Sequence, residues 1–377
     1  VKRAIQVLHV LDATLGWDGR LAVEQLLDCL PAERFEQHIV SLGPRNGESA
    51  RIEADVEIIP RRFNMDFLAA PALRRLIEQR DIAVVHAWGV HAVGVALSAG
   101  RHRAPIITSL FDPAPADAHS KRFRAGRGGA RVAVMCATET VRRRVVERGM
   151  DPDDTVLVRP GLDFATLTQA KKSDLRERLG LGPEAVVLLT DQLAAQNGGQ
   201  FTAFWGTAVR SFLEPHVRLV VPGCGREASR LRRLARAVEQ DGVLVLPGDR
   251  YRYEELIAVV DGLLMAGTAE SSTTAIAWAM GAGVPVIAAA TRSAAELLAH
   301  EHNAFLIRPD SPKRLAMRFA EAIGRRHGWG RLTEVARGQA YDVFSLRRCI
   351  EQVQRVYENL VEGRAPSDGI QDPAVVR

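Results

Sequence analysis

The sequence predicts an α/β protein of two Rossmann-like, doubly wound domains, with a last helix that returns to the first domain. Three observations carry this prediction. Strand-like apolar runs alternate with amphipathic helical patterns from end to end, which implies crossover connections and parallel sheets covered on both faces. The alternation runs through twice. Between the two runs RPGLDFATLTQAKK, residues 159–172, breaks the periodicity with proline and glycine, as a linker does.

Taken in order, IQVLHVL, HIVSL, AVVHAW and PIITSL read as the first strands, each apolar enough to be buried on two faces. RLAVEQLLDCL and PALRRLIEQR read as the helices between them. ARVAVMCAT, TVRRRVVERG and DTVLVRPGLD complete this half as strand, helix and strand. The second half supplies AVVLLTDQL, VRLVVPGCG, GVLVLPGD, DGLLMAG, VPVIAAA and AFLIRP as strands, with helices in the gaps. FSLRRCIEQVQRVYENLV reads as a strong helix, because Leu346, Ile350, Val353, Tyr357 and Leu360 recur three or four apart. The domains are therefore set at 1–165 with the closing helix 344–361, and at 166–343. The aperiodic end, 362–377, is expected to be a disordered tail.

Composition bounds the function. The chain has 377 residues, 47% hydrophobic and 25% charged, enough for two cores. The net charge of +5 favours anionic ligands or an acidic membrane face, and nothing points to nucleic acid. Arginine greatly outnumbers lysine and falls largely on helices, where it solvates exposed faces. Cys29, Cys136, Cys224 and Cys349 have neither disulfide nor zinc spacing, and fit a reducing compartment. The apolar run near the start ends early at Asp12, which makes it a first buried strand rather than a signal peptide. No run reaches the roughly 18 apolar residues of a membrane span. The expected location is the cytoplasm, with peripheral contact at the inner membrane face. For that contact KRFRAGRGGAR, residues 121–131, is the candidate segment; its other reading is a mobile solvated loop.

AESSTTAIAWAMGAGVPVIAAATRSAAELL, residues 269–298, is the most informative stretch. It reads as polar turn, helix, buried strand, second polar turn and helix. That is the C-terminal lip of a parallel sheet, where ligands bind. It resembles the signature of the two-domain retaining glycosyltransferases of the GT-B fold, family 4. That signature sets one Glu before the helix and a second eight residues later. Glu270 takes the first place and Trp278 the second; Ala279, Met280, Gly283, Pro285 and Glu296 follow in register. LGWDGRLAVEQLLDCLP, VVHAWGVHAVGVAL, RPGLDF, DQLAAQNGG, VVPGCGREASRL and FLIRPDSPKRLAMRF resemble successive family elements, in family order.

The resemblance implies a nucleotide-sugar donor as substrate, a glycan or lipid acceptor taken by the first domain, and no metal or other cofactor. Glu270 is the implied catalytic carboxylate. The free amides and hydroxyls of Ser271, Ser272 and Thr273 suit a diphosphate, because a helix N-terminus offers unpaired N–H groups and partial positive charge. One of the three also serves as an ordinary N-cap. Gly19, Gly198 and Gly223 take the places of the family's loop glycines, with Asp18 where a second glycine is usual; for Gly223 an ordinary strand-to-helix turn is the equal reading. Four places depart from the pattern. Gln192 and Asn197 stand for an Arg and a Lys that neutralise the leaving diphosphate, Phe111 for a His near the sugar, and Trp278 for the ribose-binding Glu. Arg226, Arg250, Arg252, His86 and His91 are the groups available to compensate. Two functions follow: an active glycosyltransferase of polysaccharide or glycolipid synthesis, or an inactive relative kept as a binding or partner subunit. A third reading, an oxidoreductase with a dinucleotide in one half, is poor, since no Gly-x-Gly-x-x-Gly follows the first strand.

Overall fold

The structure, a computed structural model, describes residues 3–13, 15–45, 47–60, 66–99, 104–111, 130–170, 174–190, 199–223, 226–267, 272–308 and 311–370. It divides into two compact units, Val1–Gly161 with Leu346–Asp372, and Leu162–Ser345. The break falls between Gly161 and Leu162, inside the aperiodic stretch 159–172 and four residues ahead of the bound set at 165.

The first unit holds β1 (Ile5–Asp12), β2 (Phe35–Leu42), β3 (Glu57–Ile59), β4 (Val84–Trp88), β5 (Ile106–Leu110), β6 (Val132–Cys136) and β7 (Thr155–Leu157). All pairings are parallel, in the order β3-β2-β1-β4-β5-β6-β7. Its helices are α1 (Trp17–Cys29), α2 (Asp66–Gln79), α3 (Val90–Ala99) and α4 (Glu139–Glu147). Side chains alternate across each strand, so Leu8 and Val10 meet α2, α3 and α4, while Val7 and Leu11 face α1.

The second unit holds β8 (Val186–Thr190), β9 (Val217–Pro222), β10 (Leu244–Gly248), β11 (Gly262–Met265), β12 (Val286–Ala289) and β13 (Phe305–Ile307), parallel in the order β10-β9-β8-β11-β12-β13. Around them lie α5 (Phe164–Ala170), α6 (Leu175–Arg178), α7 (Gly199–Ser211), α8 (Arg226–Ala237), α9 (Tyr253–Ala258), α10 (Thr273–Ala282), α11 (Arg292–Leu297), α12 (Pro312–Gly324) and α13 (Trp329–Val343). One face of this sheet packs on α7 and α12 through Phe204, Ala208, Leu315 and Phe319. Those two helices cross closely: a Cβ on Gly206 would lie 2.8 Å from Phe319 Cβ and 3.0 Å from Ala316 O.

The last helix, α14 (Leu346–Val361), returns to the first unit and buries Ile350, Val353, Val356, Tyr357 and Leu360 against the same sheet face as α1. Beneath it runs a buried polar chain. Tyr357 OH lies 2.7 Å from His86 Nδ1, and His86 Nε2 lies 3.0 Å from Ser109 Oγ. His86 stacks on Trp88, whose Nε1 donates to His9 Nδ1 at 3.1 Å. His9 Nδ1 is thus an acceptor, so Nε2 carries the proton and donates to Gln37 Oε1 at 3.1 Å. Burial holds the His9 pKa down to about 4, opposed by its Gln37 hydrogen bond, and holds His86 well below the usual imidazole range. Burial likewise raises the Tyr357 phenol well above its ordinary value.

Residues 362–370 are ordered, contrary to the tail expected from 362 onward. Asn359 Nδ2 donates to Asp368 O at 2.9 Å, an Arg131 guanidinium donates to Arg364 O at 2.6 Å, and Ile370 packs on the first-unit core. Polar side chains fix backbone carbonyls there without any apolar period. Residues 371–377 and 121–129, the latter being most of the basic glycine-rich segment, lie outside the described residues. Among the described residues no helix is long and apolar enough to cross a membrane, and no group of three or more His, Cys, Asp or Glu can hold a metal ion.

Candidate functional site

Chain direction in the second sheet reverses at one place. From β8 the strands run out through β9 to β10, and the chain then resumes on the other side of β8 with β11, β12 and β13. The crevice outside the carboxyl ends of β8 and β11 is therefore the topological switch point, where doubly wound sheets bind ligands. β8 ends at Thr190 and leads through 191–198 into α7; β11 ends at Met265 and leads through 268–271 into α10. Gln192, Asn197, Gly198, Glu270 and Ser271 lie on those two connections and outside the described residues.

The start of α10 is described from its cap onward. Ser272 has extended backbone, and its Oγ accepts from Ala275 N at 3.2 Å. It is the N-cap, so this acceptor is already used. Gly283, at φ +65°, closes the other end, with Val284 N bonded to Ala279 O at 2.8 Å and Gly283 N to Met280 O at 3.0 Å, a Schellman closure. All ten residues between are buried, which is why the helix, after Thr273 and Thr274, is built of Ala, Gly, Ile, Met and Trp rather than in an amphipathic pattern. A Cβ on Gly281 would come within 2.8 Å of Leu162 Cδ1, so the small residue admits the linker side chains.

Four buried polar atoms near this end of the sheet have no hydrogen-bond partner among the described residues: Thr190 Oγ1, Thr273 Oγ1, Thr274 Oγ1 and Trp278 Nε1. Thr274 and Trp278 are one turn apart on one helix face. Buried polar groups are overwhelmingly paired in folded proteins, and leaving one unpaired costs about 1–3 kcal/mol. Trp278 is only 1% exposed, so its ring is part of the packed interior and offers no open stacking surface.

Gly198, the loop glycine of the sequence reading, lies outside the described residues; the next residue, Gly199, has a glycine requirement of its own. A Cβ on Gly199 would sit 2.6 Å from Gly267 N and 2.9 Å from Gly267 Cα, backbone that cannot yield. The start of α7 is thus locked against the end of β11, and the two switch-point connections are held together. Nearby, Tyr253 OH donates to Thr190 O at 3.0 Å, which brings the start of α9 to the same end of β8. Gly223 ends β9 at φ +91°, and its N–H donates to Gly248 O at 3.3 Å; Gly248 is also left-handed, at φ +68°. The pair pins β9 to β10, and the glycine is required by backbone conformation rather than by crowding.

Gly19 lies in the first unit, in the opening turn of α1. Asp18 Oδ1 accepts its amide at 2.8 Å, and a Cβ there would meet the Leu15 side chain at 2.5 Å. The acid at position 18 therefore turns onto the helix amide of the next residue. The first sheet reverses between β1 and β4, and an acid marks that point too. Asp12, read from sequence as the end of a strand, is its last buried residue, and Oδ2 accepts His91 N at the start of α3 at 3.1 Å. Gly89, at φ +103°, lets β4 pass beside it: a Cβ there would lie 2.7 Å from Asp12 Cβ. His86 is not at this point but inside the sheet face under α14, and Phe111 packs on the same core. Arg226 and Arg250 stay exposed at the starts of their connections.

Two parallel, doubly wound domains with a helix from the end of the chain returned to the first define the class: a GT-B protein. The first half matches the model of Glycosyltransferase Family 4 over residues 21–166, and the second matches Glycosyl transferases group 1 over 200–325. The chain belongs to this group of glycosyltransferases. Among solved structures it is similar to Anabaena HepE in complex with UDP-glucose, with TM-score 0.77 and 16% identity over 94% of this chain and 100% of that one. It is also similar to WaaG, a glycosyltransferase involved in lipopolysaccharide biosynthesis (TM-score 0.71, 14% identity, 94% and 99% covered). A putative UDP-N-acetylglucosamine 2-epimerase from Listeria monocytogenes matches as well (0.68, 16%, 99% and 100%). At these identities the likeness is one of fold. No curated protein matches the chain in sequence.

Proposed function

We propose that the protein transfers a sugar from a nucleotide-sugar donor to a glycan or lipid acceptor, with retained anomeric configuration and without a metal. The observation that carries this reading is the set of unpaired buried hydroxyls at the switch point, on the opening turn of α10 and the end of β8. A diphosphate there receives the free amides of the helix terminus, its partial positive charge and the hydroxyls of Thr273 and Thr274. With Ser272 engaged as cap, Thr273 and Thr274 are the better donors to phosphate. Glu270, two residues before the cap, is the carboxylate assigned to the reacting carbon, where it favours developing positive charge. The UDP-glucose held by the HepE relative supports a uridine nucleotide as the first donor to try.

A second reading, a non-catalytic binding subunit, is favoured by three observations. Trp278 is sealed in the interior where a ribose-binding carboxylate is implied, Phe111 packs on the core where a His is implied, and Asp18 holds the Gly19 amide. Proton NMR of UDP-glucose incubated with the protein separates the two. Slow hydrolysis with α-glucose as the first anomer, abolished in Glu270→Gln, is expected of the enzyme. Release of β-glucose first contradicts retention. Firm binding with no hydrolysis, and no transfer to glycan or lipid acceptors, would establish the second reading.

A further inference from the structure

The outer edge of the second sheet carries a cavity of about 490 Å³ that the donor reading does not use. β13 is the edge strand, two strands beyond β11, and its Phe305 and Ile307 line the cavity together with Ala322 of α12. The charged lining is Arg308, which follows β13, with Arg318 and Glu321 on α12 and Arg325 at its C-cap. Three guanidiniums against one carboxylate leave a net +2. Arg318 and Arg325 are seven residues apart, two turns on one helix face, with Glu321 between them. Among the described residues Arg308 and Arg318 form no ion pair or hydrogen bond, and Arg325 has an exposed contact with Glu301 at 4.0 Å. His300 also lines the cavity; its Nδ1 accepts Leu306 N at 3.1 Å, which leaves Nε2 as the protonated donor.

Cations gathered without partners repel one another, and an apolar lining alone gives no reason to gather them. A ligand with a compact double negative charge and an apolar or ring body answers both features. The volume falls within the roughly 300–1,000 Å³ of small-molecule pockets. Guanidinium forks match phosphate oxygens two at a time. We infer that this cavity, formed by β13 and α12, is a binding site for an organic phosphate ester, separate from the donor site. The phosphate sits on Arg308, Arg318 and Arg325, and the body of the ligand on Phe305 and Ile307. The same chemistry is offered by a free phosphorylated metabolite and by a phosphomonoester lipid headgroup.

Hydrogen exchange resolved along the chain tests this without interference from the donor site. Phenyl phosphate at low salt should slow exchange in 304–308 and 318–325, and phenol at the same concentration should not. The exposed double variant Arg308→Gln/Arg318→Gln should require at least tenfold more phenyl phosphate for the same protection, with the pattern around α10 unchanged. Vesicles of phosphatidylcholine with phosphatidic acid, against phosphatidylcholine alone, form the second arm. Protection by vesicles as well as by phenyl phosphate assigns a headgroup ligand; protection by phenyl phosphate alone assigns a soluble one. Absence of protection in both arms, equal protection by phenol, or protection unchanged in the double variant overturns the inference.

Discussion

Replacing Thr273 by Val keeps the side chain's shape and deletes one hydroxyl. In the free protein that hydroxyl is buried and has no partner among the described residues, a situation that costs about 1–3 kcal/mol. Valine also buries a methyl group, worth roughly 0.8 kcal/mol, at nearly the same helix propensity. The empty variant should therefore be more stable than the parent by about 1 kcal/mol or more. With donor bound the balance reverses, because a hydrogen bond to a charged phosphate contributes about 1.5–3 kcal/mol. Donor affinity should fall roughly 10- to 100-fold. Scanning calorimetry with and without UDP-glucose reads both effects: the variant should melt higher when empty and gain less from the nucleotide sugar. A variant that melts lower when empty, yet gains as much from donor as the parent, would refute the reasoning.

Other substitutions and conditions probe the surrounding frame. Gly199→Ala drives a Cβ into the Gly267 backbone, and should destabilise the second unit by about 1–3 kcal/mol, read from hydrogen exchange in α7 and β11. Trp278→Glu, which restores the family residue, places a carboxylate at a 1% exposed position and removes a large ring; a loss of at least about 3 kcal/mol and no gain in donor binding are expected, by calorimetry. Stability of the first unit should fall with acidification. His9 stays neutral in the fold down to about pH 4 but accepts a proton near 6.5 when unfolded, so the unfolded chain binds more protons between those values. The contribution, about 3 kcal/mol, is complete above pH 6.5 and lost by about pH 4, and His9→Gln should shrink the fall of the urea midpoint across that window, with buried His86 keeping part of it. Tyr357→Phe strips the partner from His86 Nδ1 and should cost about 1–3 kcal/mol, with faster exchange in α14.

The fold was legible because its signals are local and repeated. Apolar runs of four to eight residues bounded by Gly, Pro and Asp mark strands, and Leu346, Ile350, Val353, Tyr357 and Leu360 declare the last helix. What escaped were choices that depend on neighbours distant in sequence. Gly199 carries no signal as a letter; only the approach of the Gly267 backbone shows why a side chain is not admitted there. His86 reads as a histidine available to the first-domain site until Tyr357, 271 residues away, proves to be its partner. Thr190 and Thr274 carry no motif, and their interest lies wholly in lacking partners. The order of 362–370 is set by Asn359 and Arg131 reaching backbone carbonyls, a pattern no periodicity reveals.

The central claim is that the switch point of the second sheet holds a nucleotide sugar. Isothermal titration of the full chain with UDP-, GDP- and ADP-sugars tests it most directly, with Thr273→Val as the control at the same site. The account predicts a sub-millimolar dissociation constant for at least one donor, weakened at least tenfold in the control. No heat of binding for any of them at millimolar concentration would contradict it.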